Sequence, residues 1–134
     1  MRRIWWLLLM VLGCGVSASA ARRELASPVA PDEAFTRAMR VVNDFGYTVT
    51  DADRASGYLR AERKASSTGS DFLTGAAYVW VLTVTVVEDS AGTRYVLQPQ
   101  NVKEEGGRRT TVGMRVTKGQ QAQVDSIAGR LAVN

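Results

Sequence analysis

The chain has no histidine and a single cysteine, Cys14, in 134 residues. One cysteine excludes an internal disulfide, so the fold rests on packing and hydrogen bonds. The lack of histidine removes the commonest general base and the commonest metal ligand. Long apolar runs are also missing: the longest, Ile4 to Leu12, falls far short of the ~20 residues of a membrane-spanning helix. Proline occurs three times and charged residues make up 22%, a balance unlike that of disordered or collagen-like chains. The net charge of +4 includes Arg2 and Arg3, so the remainder carries about +2. Its basic residues (Arg22-Arg23, Arg37, Arg40, Arg60, Arg63-Lys64 and Arg108-Arg109) are interleaved with Asp and Glu. Nucleic-acid binding calls for a concentrated basic stripe, and no nucleic-acid partner is expected.

What is present begins with a leader. Met1-Arg2-Arg3 is a cationic start, Ile4–Leu12 an apolar stretch, and Gly13-Cys14-Gly15-Val16-Ser17-Ala18-Ser19-Ala20 a small-residue exit. These are the three parts of a secretory signal. Val11-Leu12-Gly13-Cys14 resembles the lipobox of bacterial lipoproteins. That resemblance implies a diacylglycerol on the Cys14 thiol, Cys14 as the first mature residue, and a membrane held through an N-terminal lipid. By the sorting rules of that family, Gly15 in place of Asp implies the outer membrane, periplasmic face. The alternative is ordinary cleavage after Ala18-Ser19-Ala20, giving a soluble periplasmic or secreted protein. An unpaired thiol in an oxidising compartment favours acylation, which consumes it. Residues 1–13 are thus expected to be signal peptide, 14–30 a flexible tether rich in small residues, and 31–134 one domain of about the size a single core supports.

Pro31-Asp32-Glu33 predicts a helix start, proline suiting the first turn and the acids the positive dipole end. Phe35, Ala38, Met39, Val42 and Phe45 follow at helical spacing, and Gly46 closes the helix. Strands are predicted over Tyr47–Thr50, Tyr58–Lys64, Tyr78–Glu88, Thr93–Gln98 and Arg108–Val116, with Pro99 marking an edge or strand end. Thr117 and Gln120 have the spacing of a reciprocal capping box. Val124, Ile127, Ala128 and Leu131 give a last amphipathic helix. The expected fold is α+β: an antiparallel sheet of about five strands with an N-terminal and a C-terminal helix on one face.

Asp44-Phe45-Gly46-Tyr47-Thr48-Val49-Thr50 and Asp53-Arg54-Ala55-Ser56-Gly57-Tyr58-Leu59-Arg60-Ala61 make a helix end, strand, turn and strand. In this they resemble the helix-grip domains of the C component of the outer-membrane β-barrel assembly machinery. The resemblance implies a periplasm-facing interaction module and brings no catalytic residues.

Asp51 to Gly57 has a superficial likeness to a calcium loop, with Glu62 at the twelfth position. Ala55 stands where a ligand is needed and Gly57 falls one place late, so an Asp-capped turn is expected, with no metal and no cofactor. Asp51, Asp53, Asp71 and Glu88 all fall in turns or strand ends, where acids sit for solvation. Ser66 and Ser67 follow Lys64 inside a loop and have no histidine to activate them. An enzyme is not expected.

Phe72-Leu73 interrupts the polar loop 65–77 between Gly69 and Gly75, either as a docking or membrane-wedging tip or as a plug under the sheet. On the fourth predicted element, Tyr78, Trp80, Leu82, Val84 and Val86 alternate with Val79, Val81, Thr83, Thr85 and Val87. Two helices cover only one sheet face, so the other is open to a partner, a lipid or a second copy, or its Val and Thr reflect strand propensity alone. Cys14 is the expected lipid attachment; Phe72, Leu73 and Trp80 are the candidate partner contacts. The expected function is that of a lipid-anchored accessory or assembly protein binding another envelope protein. The alternative is a carrier or sensor holding an apolar ligand between helix and sheet.

Overall fold

The structure, a computed structural model, describes residues 22–65, 75–112 and 116–133. Its elements are β1 (Arg23–Ser27), α1 (Pro31–Asp44), β2 (Thr48–Asp53), β3 (Tyr58–Lys64), β4 (Ala77–Asp89), β5 (Gly92–Glu105), β6 (Arg108–Thr111) and α2 (Lys118–Ala132). The protein is α+β, an antiparallel sheet carrying two helices. Strand order is β1-β5-β4-β3-β2, with β6 beside β1 on the outer flank of β5. No helix among the described residues is long and apolar enough to cross a membrane.

α1 forms where its pattern predicts. Pro31 occupies the first turn, with Asp32 and Glu33 beside it, where the missing N–H costs nothing and the acids meet the positive end of the dipole. Its inward stripe is Ala34, Phe35, Ala38, Val41 and Val42. The helix closes through Gly46 at φ +82°, whose N–H donates to the Asn43 carbonyl. α2 opens on Thr117, whose hydroxyl accepts the Gln120 N–H at 3.1 Å. The reciprocal half of the expected capping box is absent. The Gln120 side chain turns inward instead, and its Nε2 donates to the Gln100 carbonyl at 2.9 Å, tying α2 to β5.

Both helices lie on one face. Leu59 pairs across from Val84, Ala61 from Leu82, Val84 from Leu97 and Val86 from Tyr95. These side chains meet Phe35, Ala38 and Val42 of α1 and Val124, Ile127 and Leu131 of α2 in one buried cluster. Each fully buried Leu or Ile stabilises the fold by about 1.5–3 kcal/mol relative to exposure. The Tyr95 hydroxyl lies deep in this cluster and donates to the Ala34 carbonyl at 3.1 Å. Burial pushes its phenol above the ordinary tyrosine range. Tyr47, also buried, is pushed up to about 12, desolvation outweighing the nearby Arg63 charge.

Three features depart from the expected layout. Residues 23–27, assigned above to the tether, form β1: Leu25 pairs with Tyr95 and packs against the core, while Glu24 and Ala26 point outward. The folded unit therefore begins before Pro31. Second, Pro99 marks no strand end, and of the two expectations only the edge holds, locally. β5 runs to Glu105 and Pro99, fully buried, pairs with Leu82. Outside β5, β1 covers residues 93–97 and β6 covers 102–105, so Pro99 falls between them. The Asn101 carbonyl points to that outer flank, where it accepts from Val112. Two residues away, Pro99 directs its nitrogen into the same gap, where no donor is needed. Third, β6 ends at Thr111, with Val112 outside it, and residues 113–115 of the expected last strand lie outside the described residues.

Candidate functional site

The face of the sheet that the helices leave uncovered is the candidate interaction surface. Strand alternation places its side chains in rows across β3, β4 and β5: Tyr58, Thr85 and Val96; Arg60, Thr83 and Gln98; Glu62, Val81 and Gln100; Lys64, Val79 and Val102. The first two rows are half-buried and mostly uncharged, a mixture of hydroxyls, amides and short apolar groups. In the last two, Val79, Val81 and Val102 form a second apolar cluster, separate from the main core, each at most 5% exposed.

An ion-pair clasp lies over that cluster. Arg109 on β6 reaches past β5 and β4 to Glu62 on β3, its Nη1 and Nη2 donating to Glu62 Oε1 and Oε2 at 3.2 and 3.0 Å. Its Nε donates to Glu104, and Arg60 adds a further bond to Glu62 Oε1 at 3.3 Å. This is the planar two-pronged geometry that arginine makes with carboxylates. The Arg109 bonds, and less so the Arg60 charge, hold the Glu62 carboxyl below the usual glutamate range. Beside the clasp a hollow of about 320 Å³ is lined by Thr48, Thr50, Lys64, Val79 and Arg109. Arg63 borders it while donating to the Phe45 carbonyl at 2.8 Å.

The acids singled out from the sequence are dispersed. Asp53 caps its own turn, accepting the Ala55 N–H at 3.0 Å and the Ser56 hydroxyl at 2.8 Å, and these bonds lower its pKa. That is the Asp-capped turn expected. Gly57 completes it at φ +72°, pressed against β4 so closely that a Cβ would stand 2.3 Å from the Val86 carbonyl oxygen. Asp51 sits opposite Arg60 at a bulge in β2, and Glu88 lies at the far end of β4. No group of three His, Cys, Asp or Glu able to hold a metal occurs among the described residues.

Cys14, Phe72, Leu73, Asp71, Ser66 and Ser67 lie outside the described residues. Trp80 is described. It is half-buried on the helix-covered side, paired with Arg63 and Asn101, with its ring edge against the start of α2 near Gly119. Residues that do shape the open face, above all the Glu62–Arg109 clasp, were not singled out from sequence. Its partners stand 47 positions apart; the only signal was Arg60, Glu62 and Lys64 alternating on one side of β3.

No family model matches the chain, and no curated protein matches it. Among solved structures it is similar to a DUF4468 family protein from Bacteroides ovatus, at 10% identity and a TM-score of 0.40, over 81% of this chain and 77% of that one.

Proposed function

We propose that this protein is a non-enzymatic, lipid-anchored accessory protein of the bacterial envelope, and that it docks another envelope protein through the helix-free face of its sheet. The observation that carries the reading is the one-sided placement of the helices. They bury Leu59, Leu82, Val84 and Leu97 but leave Tyr58, Thr83, Thr85, Val96 and Gln98 facing outward on β3, β4 and β5. A mostly uncharged patch of hydroxyl, amide and small apolar groups, with Tyr58 and Arg60 along one side, suits a protein–protein contact, in which aromatic residues and arginine are enriched. Close packing between helices and sheet supports docking over the carrier alternative, since Ala34, Leu59, Leu82, Leu97 and Ile127 are fully buried there against one another. The leader supports the tether, with Cys14 as the acylated residue and the periplasmic leaflet of the outer membrane as its location.

Two experiments test the halves separately. The intact mass of the mature chain from native membranes is expected to show acyl chains on an amino-terminal Cys14; a free amine at Ala21 refutes the tether. Recovery of a specific envelope protein is expected to be lost in the Thr83→Arg/Gln98→Arg double variant and retained in Thr36→Arg, on the outer side of α1. Equal recovery by both refutes docking at this face.

A further inference from the structure

A second feature, on the opposite side of the molecule, belongs neither to the sheet face nor to the tether. α1 and the last turns of α2 enclose a groove of about 360 Å³ lined by Glu33, Thr36, Arg37, Arg40, Val41 and Arg130. Three arginines thus line one groove with Glu33, and Asp44 stands beside it as the partner of Arg130. Local structure accounts for two of them only in part. Arg130, in the last turn of α2, donates to Asp44 at 3.1 Å and stacks 6.0 Å from the Phe45 ring, as a cation at a helix C-terminus does. Arg37 donates one N–H to the Arg130 carbonyl at 3.4 Å. Each guanidinium carries five donors, so most remain unused. Arg40 is exposed and has no partner among the described residues. At the groove's side, the Thr36 hydroxyl accepts from Arg54 at 3.1 Å and holds a fourth guanidinium nearby.

Like charges three apart on a helix, such as Arg37 and Arg40, repel one another. Their repulsion is relieved when an anion enters. Every cation here is an arginine, whose planar fork matches the paired oxygens of a phosphate. We propose that this groove binds a phosphate group, free in solution or carried on a lipid headgroup. The proposal does not depend on acylation of Cys14 or on docking by the sheet.

The full chain, purified in a zwitterionic detergent, is titrated at constant ionic strength with inorganic phosphate against chloride. In parallel it is mixed with phosphatidylglycerol or phosphatidylcholine vesicles. The arginine Nε–H resonances report the site. Arg37, Arg40 and Arg130 are expected to shift together and saturably, and Arg40→Glu is expected to weaken binding roughly tenfold or more, the scale of one charge-assisted hydrogen bond. Arg108→Glu makes the same charge change on β6, at an exposed residue without a described partner, and is expected to leave binding unchanged. Saturation by inorganic phosphate identifies a free anion site. Saturation only by phosphatidylglycerol vesicles identifies a headgroup site. Both require the Arg40→Glu loss. No saturable shift with either probe, or equal losses in Arg40→Glu and Arg108→Glu, overturns the proposal. Circular dichroism establishes that both variants are folded.

Discussion

Leu82 and Thr83 are neighbours in the chain and lie on opposite faces of the sheet, so truncating each to alanine reads the two faces separately. Leu82 is fully buried in the main cluster, opposite Ala61 and Pro99. Leu82→Ala removes the transfer energy of its lost methine and two methyl groups and leaves a cavity that the surrounding side chains only partly fill, a cost of about 2–5 kcal/mol. Set against a total of about 5–15 kcal/mol for a domain of this size, that is a large fraction. At about 4–8 °C per kcal/mol, even 3 kcal/mol lowers Tm by ~12–24 °C. Thr83 is half-buried between Arg60 and Gln98 on the open face. Thr83→Ala loses strand preference and little packing, at most about 1 kcal/mol. Urea unfolding with paired variants is the assay: the midpoint of Leu82→Ala falls steeply, that of Thr83→Ala barely moves, and both keep the wild-type slope. Equal losses, or a larger loss at Thr83, would refute the one-sided placement of the helices.

Gly57→Ala is expected to cost at least about 2 kcal/mol, because φ +72° and the approach of the Val86 carbonyl both exclude a side chain; thermal unfolding measures it. Tyr95→Phe is expected to lose about 1 kcal/mol by removing the buried bond from its hydroxyl to the Ala34 carbonyl, read from the same denaturant curves. Glu62 predicts an acid sensitivity. Its native pKa lies below the ordinary value of 4.5, so the unfolded chain takes up the proton first. The stability it contributes is therefore present above about pH 4.5 and lost as pH falls through the native value. Glu62→Gln is expected to flatten stability between pH 5 and 3 while lowering it at pH 7, and an unchanged pH profile would contradict the clasp.

Much of this architecture was legible because periodicity is a property of local sequence. The stripe from Phe35 to Phe45 could bury only as a helix, and the alternation from Tyr78 to Glu88 could pair only as a strand. β1 escaped notice because Arg23-Glu24-Leu25-Ala26-Ser27 presents one large apolar side chain, too little to distinguish a strand from a linker. What makes it a strand is the vacant flank of β5, a partner about 70 positions away in the chain (from Leu25 to Tyr95). Pro99 was legible only as an edge or a strand end, for a related reason. A proline is incompatible with a strand only where its nitrogen faces a neighbour, and the gap between β1 and β6 is visible only in the assembled sheet. The open face was foreseeable from the two-sided pattern of β4, whereas its clasp depends on β6 folding back beside β5. Gln120 shows the limit in one residue: its spacing from Thr117 suggested a reciprocal cap, yet the Gln100 carbonyl captures its amide.

The most direct test of docking by the helix-free face is a photo-crosslinking scan in intact cells. A photoreactive amino acid is placed in turn at Thr83, Thr85 and Gln98 on the open face, and at Thr36 and Ser126 on the helices. The account predicts one discrete crosslinked product of the same mass from the three sheet positions and none from the two helix positions. A product from the helices alone, or no discrete product from the sheet, would contradict it.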